Sequence, residues 1–155
     1  MIRLSPGDLI AVESGGRFYY AVILSPVALF GGHWAYVFHR SSSDLLSSET
    51  LLSGDTSGYH AYVDFIWAKR ENRITRIAKK VDVQPFSSVD RLKSTHATQG
   101  KAHLWFLYDL EHQELGRVEH LTQEQKRFPL RERIDDTIMV ERVEQRWTPE
   151  QDPRI

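Results

Sequence analysis

The alternation of apolar and polar positions is clearest in residues 7–24, where it predicts two short strands joined by a turn at residues 14–16. The second strand, residues 18–24, is a run of aromatic and β-branched side chains, which strands favour. The turn contains a Gly-Gly pair, which can adopt the positive φ that a tight hairpin requires. Pro26 is predicted to end the hairpin, because proline cannot donate to a sheet ladder.

Later segments repeat this β character. Residues 59–67 alternate strictly, which places Tyr59 and Phe65 on one predicted face and His60 and Asp64 on the other. The remaining predicted strands cover residues 33–39, 101–109, 116–121 and 137–143.

Residues 73–83 fit two interpretations. The spacing of Ile74, Ile77, Ala78 and Val81 is that of a short amphipathic helix. The β-branched content of the same segment favours a strand. We favour the strand, because Asn72 can supply a hairpin turn before it.

Helical signals are few and short. Residues 41–58 are predicted to form an irregular loop with a brief helical turn, and residues 89–93 a second brief helix. Thr122 begins a capping-box pattern that predicts a short helix, which Pro129 would end. Trp147 is predicted to close one end of a barrel.

These elements predict one mostly-β domain over residues 1–155, either a bent antiparallel sheet or a partly open SH3-like barrel, with one or two short helices. The chain has no cysteine, which excludes disulfides, thiolate zinc sites and thiol nucleophiles. No signal-peptide core and no run of membrane-spanning length is found in the sequence, so we expect a cytoplasmic protein without membrane contact.

The net charge of −1 creates no general attraction to nucleic acid. The charges are unevenly placed, since residues 41–64 contain acids without Lys or Arg and residues 69–80 are strongly basic. The alternative function is therefore a small nucleic-acid-binding barrel that uses the basic stretch 69–80. Against it, the aromatic strands contain almost no basic residues and the basic stretch contains no aromatics.

Motifs for catalysis or metal binding are missing from the sequence. The seven histidines show no HExxH or HxH spacing, and the serines lack a GxSxG elbow. Glu111-His112 and Glu119-His120 are adjacent pairs, whose side chains point to opposite faces of a strand. We predict a protein that is not an enzyme and has no catalytic, cofactor-binding or metal-binding residues.

Three segments together resemble the immunity protein 26 family, small bacterial proteins predicted to protect a cell against its own polymorphic toxin. They are GDLIAVESGGRFYYAVIL, YVDFIWAKRENRITRIAK and LTQEQKRFP. The resemblance implies a mostly-β cytoplasmic protein that binds a cognate toxin without catalysis. It supplies no catalytic motif that can be placed on this chain.

If that toxin is a nuclease with a basic cleft, acidic side chains of this chain are candidates to mimic phosphate. They are Asp109, Glu111, Glu114, Asp135, Asp136, Glu141 and Glu144. Leu29, Phe30 and Tyr59 are candidates for exposed apolar contacts. The alternative is that the acids are ordinary solvated surface and the apolar residues anchor the core or a loop.

Overall fold

The computed structural model describes residues 1–29 and 31–155, with the side chains of residues 25–29 left out. The described residues form nine strands: β1 Leu9–Ser14, β2 Arg17–Leu29, β3 Gly32–Ser42, β4 Gly58–Asp64, β5 Ile74–Ala78, β6 Arg91–Ser94, β7 Trp105–Asp109, β8 Glu114–Val118 and β9 Arg133–Asp135. They also form four α-helices: α1 Ser48–Ser53, α2 Ile66–Arg70, α3 Gln123–Lys126 and α4 Asp136–Glu144. Short 3₁₀ turns cover Gln84–Phe86 and Pro149–Gln151.

The strands form two sheets, which confirms the prediction of a mostly-β fold. The larger sheet has the strand order β5-β1-β2-β3-β4-β9, and the smaller has the order β6-β7-β8. Neighbouring strands are antiparallel except for the parallel pair β4–β9, so the larger sheet is mixed. It is bent but does not close into a barrel, and the four helices exceed the one or two that were predicted.

The first hairpin forms as predicted. Ser14 pairs with Arg17 across the turn, where Gly15 and Gly16 have φ values of 57° and 76°. The prediction that Pro26 ends the second strand is wrong, because β2 continues through register irregularities to residue 29. Such irregularities accommodate a proline, because the residue leaves the hydrogen-bonding ladder locally.

Both faces of the larger sheet are covered, and successive residues of β1 show this directly. Ile10 and Val12 pack into one core cluster, together with α4 and Trp105 of the smaller sheet. Leu9 and Ala11 pack into a second cluster on the other face. We name these the first and second faces of the sheet.

Two predicted elements change type in the C-terminal third. Residues 137–143, predicted as a strand, lie in α4. The Asp135 side chain caps this helix by accepting from Ile138 N. Met139 and Val143 lie on the buried side of the helix. Residues 89–93, predicted as a helix, contribute to β6, which pairs with β7. By contrast, residues 74–78 form a strand, as favoured, and Thr122 forms the predicted capping box.

The strand predicted over residues 59–67 ends early. Asp64 Oδ1 accepts from Ile66 N at 3.0 Å, which turns the chain into α2. Trp67 is consequently 56% exposed instead of sharing the buried face. Trp147 does not close a barrel but packs against Tyr59, with ring centroids 5.4 Å apart.

Candidate partner-binding groove

An open groove of about 310 Å³ lies on the second face, between β3, α1 and the segment that leads to the first 3₁₀ turn. Its walls are mostly apolar and come from three separate parts of the chain. The principal lining residues are Tyr36, Leu52, Val81, Asp82, Pro85 and Phe86. Concave, mainly apolar surfaces with a few polar groups are typical of binding sites.

One wall of the groove is aromatic. The Tyr36 and Phe86 ring centroids lie 4.8 Å apart, and both rings contact the buried Phe38 edge-on. Tyr36 Oη donates to Thr56 O at 2.6 Å, and His60 Nε2 lies 2.6 Å from Phe86 O. These contacts hold both rings in place.

The opposite wall comes from α1, which the Ser47 side chain caps by accepting from Thr50 N. The helix buries Leu51 completely and leaves its neighbour Leu52 37% exposed at the groove. Val81 N donates to Gly7 O at 2.9 Å, which ties the third part of the lining to the first hairpin.

Gly58 determines how closely β4 approaches the aromatic wall. A Cβ atom at this position would lie 2.1 Å from Val37 O and 3.0 Å from the Tyr36 ring. Any larger residue would therefore push the β3–β4 pair or the Tyr36 ring out of place.

The electrostatics of the groove are simple. Of the described residues that line it, only Asp82 carries a charge. Burial lowers the pKa of His60, so this imidazole is neutral at pH 7. Burial, and secondarily the charge of Asp55, raises the pKa of Tyr36, so its phenol also stays neutral. The groove therefore has an apolar floor and an acidic rim.

A second concave region, on the first face, is polar and its charged groups are paired. Arg154 makes two bonds to the buried Asp152 carboxylate, and Arg142 binds Glu132 at 2.6 Å while it stacks on Trp147. The first pair lies within the C-terminal segment, and Arg142 links α4 to Glu132 and Trp147. We interpret this region as part of the framework.

Most of the predicted acidic contact residues have structural roles. Asp135 caps α4, Asp109 Oδ1 accepts from two backbone N–H groups of its turn, and Glu114 pairs with the exposed Arg117. Glu144 accepts a hydrogen bond from Tyr19 Oη. Burial, and after it this hydrogen bond, raises the pKa of the Tyr19 phenol to about 12.

Other members of that acidic set divide into buried and exposed residues. Asp136 is buried and binds Arg73 at 2.7 Å, so it cannot mimic phosphate at the surface. Glu111 and Glu141 are exposed.

The predicted apolar contacts also change. Tyr59 is only 2% exposed and its hydroxyl donates to Met139 O, so it is a core residue and not a surface contact. The Leu29 side chain and Phe30 lie outside the described residues.

The basic stretch 69–80 is partly neutralised by the fold. Arg73 binds Asp136 and Glu71, and Arg76 Nε lies 3.1 Å from the buried Asp8 carboxylate. The structure nevertheless brings one aromatic residue to this stretch, since the Arg70 guanidinium lies 5.3 Å from the centre of the exposed Trp67 ring.

Within residues 1–29 and 31–155, no three or more His, Asp or Glu side chains gather in a way that could hold a metal ion. None of the helices in this part of the chain is long and apolar enough to cross a membrane. Comparison of the chain with protein-family models, with curated proteins and with solved structures gives no match.

No sequence motif marks the groove residues as functional. One local signal was present, because Leu51 and Leu52 are adjacent in a Ser-rich segment and a short helix can bury only one of two neighbours. The other contributors, Tyr36 and residues 81–86, are far apart in sequence and are brought together by tertiary contacts, such as the hydrogen bond from Val81 N to Gly7 O and the packing of Phe86 on Tyr36.

Proposed function

We propose that the protein is an immunity protein that neutralises a cognate bacterial toxin in the cytoplasm by direct binding, without catalysis. Two observations support this. The three segments that resemble the immunity protein 26 family cover both the first hairpin and the α2–β5 region. The observation that carries the proposal is the groove itself, an apolar concave surface held open by fixed aromatic rings.

A preformed groove suits a protein whose task is tight binding. Most of the binding free energy at protein interfaces comes from a few anchor side chains that fill well-packed pockets. A partner loses less conformational freedom when the receiving surface is already ordered. The exposed acids Glu111 and Glu141 would contribute to the association rate with a basic toxin more than to the affinity.

Co-expression tests this proposal. A toxin encoded next to the gene for this protein is produced in bacterial cells with and without it, and growth and co-purification are measured. We expect growth to be restored and the two proteins to co-purify with a Kd below about 1 μM. Failure of both readouts would contradict the proposal.

The second candidate function is nucleic-acid binding by residues 69–80, now favoured by one specific observation, the exposed Trp67 ring under the Arg70 guanidinium. Aromatic stacking combined with basic side chains is how proteins hold single strands. Binding of a fluorescent oligonucleotide should then weaken steeply as salt rises. Lack of binding, or a response independent of salt, would exclude this function.

A further inference from the structure

We propose that the groove is the toxin-contact site and that it receives an apolar side chain flanked by lysine or arginine in the partner. This inference rests on the proposed function and names the place and the chemistry of its contact. It replaces the acidic surface of residues 109–144 as the expected interface.

The size and lining of the groove define the apolar part of the ligand. A volume of about 310 Å³ accommodates one or two side chains of leucine or phenylalanine size. Tyr36 and Phe86 offer ring faces, and Leu52 and Val81 offer aliphatic edges. An inserted apolar side chain would cover the exposed part of Leu52, a residue that the fold itself leaves 37% exposed.

The charge of the rim defines the flanking residues. Asp82 forms no ion pair with any other described residue, so its carboxylate is available to a partner. Asp55 contributes, after burial, to the raised pKa of Tyr36, but its own charge is offset by the nearby Arg146, 3.8 Å away, and Arg40. The Asp82 carboxylate beside a neutral apolar floor favours a cationic partner segment over an acidic one.

The same rim disfavours nucleic acid at this site, because phosphate would face the Asp82 carboxylate. The exposed Trp67 differs in this respect, since a cation of the chain itself already lies over its ring. A protein segment is therefore the occupant that the groove fits.

Two matched peptides test the inference directly. One is a synthetic pentapeptide with leucine between two arginines, and the other has leucine between two glutamates. Each is titrated into ¹⁵N-labelled protein, and amide shifts are followed by NMR. We expect the basic peptide to bind with a Kd of about 1 mM and to shift amides around Tyr36, Leu52 and Phe86. The acidic peptide should bind at least about tenfold more weakly.

Three variants separate the groove from the rest of the surface. Asp82→Asn removes the charge, but its side-chain oxygen can still accept from Gln84 N, as Asp82 Oδ1 does at 3.0 Å. Leu52→Ser removes the apolar edge. Leu115→Ser is the control, because Leu115 is 51% exposed on β8, outside the groove. We expect the first two variants to weaken the basic peptide several-fold and the control to leave its affinity unchanged.

Equal binding of both peptides, shifts centred away from the groove, or no binding of the basic peptide would each overturn the inference. The co-expression assay adds an independent readout. If the wild type restores growth and a double variant that combines Asp82→Asn with Leu52→Ser restores it equally, the groove is not the contact site, although the proposed function stands. If the wild type fails while the basic peptide binds the groove, the site remains and the proposed function fails.

Discussion

Lys93 gives the sharpest physical prediction, because it is a charged side chain that is 0% exposed. It lies on β6, and its ammonium group donates to Lys126 O and, at 3.0 Å, to Pro149 O. No carboxylate among the described residues lies within ion-pair distance of it. Burial lowers its pKa from 10.5 to about 8, against a smaller opposing effect of Asp152 and Glu150.

This lowered pKa makes stability depend on pH with a definite sign. Between the two pKa values the unfolded chain holds more protons than the folded chain, so the free energy of unfolding rises with pH. A shift of one pKa unit corresponds to about 1.36 kcal/mol, so ionised Lys93 destabilises the folded chain by about 3 kcal/mol at neutral pH. Between about pH 7.5 and about pH 9.5 about 2 kcal/mol of this should be recovered.

Urea unfolding at several pH values measures this rise in the wild type and in Lys93→Met, which has a side chain of similar length that cannot ionise. The exposed Lys79→Met is the control. The upper limit is set by tyrosines, because burial raises the pKa of Tyr19 and of Tyr62 to about 12 and their titration lowers stability above about pH 10.

We expect Lys79→Met to follow the wild type and Lys93→Met to lose the rise. If the difference in unfolding free energy between the wild type and Lys93→Met does not change with pH, the buried-charge interpretation is refuted. Should Lys93→Met fail to fold, a wild-type curve that is flat over this range refutes it equally.

Three further predictions concern the framework and are measured by thermal or urea unfolding. Gly58→Ala should lose about 3 kcal/mol or more of unfolding free energy, because the added Cβ would overlap Val37 O. Gly116→Ala is the control and should change stability little, since an added Cβ there would meet no atom within 4 Å. Equal effects of the two substitutions would contradict the geometry. Arg73→Met should cost about 3 kcal/mol of unfolding free energy, because it leaves the buried Asp136 carboxylate unpaired. Its control, Arg117→Met, removes an exposed ion pair and should cost under about 1 kcal/mol. Similar losses in the two variants would argue against this difference. Thr122→Ala should lose about 1 kcal/mol of capping energy that Thr122→Ser retains, unless the capping box contributes nothing.

The sequence was informative where structure is decided locally. The first hairpin follows from a Gly-Gly turn between two alternating segments, and the α3 cap follows from a four-residue pattern. The strand over residues 74–78 could be favoured because a turn residue precedes it. In each case the deciding residues are close in sequence.

Elements whose identity depends on distant partners were predicted less well. Residues 137–143 contain β-branched side chains typical of a strand, yet the burial of Met139 against the larger sheet selects a helix, which the local Asp135 cap also favours. The sequence predicts Asp136 to be a surface acid, because it does not show that Arg73 pairs with it in the folded chain. The groove itself could not be predicted, because tertiary contacts bring its walls, residues 36, 52 and 81–86, together from three distant parts of the chain.

The unequal covering of the two sheet faces explains why a groove exists. On the first face, α4, the smaller sheet and Trp147 cover the core. On the second face, α1 and residues 81–86 cover one part of the strands, and Leu92 of the smaller sheet packs on Trp34 and Tyr62 in another part. The groove lies between α1 and residues 81–86. Leu51 and Leu52 show the consequence, because the fold completely buries one and leaves its equally apolar neighbour at the open edge. Burying the second leucine would add stability at about 25 cal/mol per Å² of apolar surface. The open edge therefore forgoes part of the stability that closing it would supply, and it leaves apolar surface accessible at the groove.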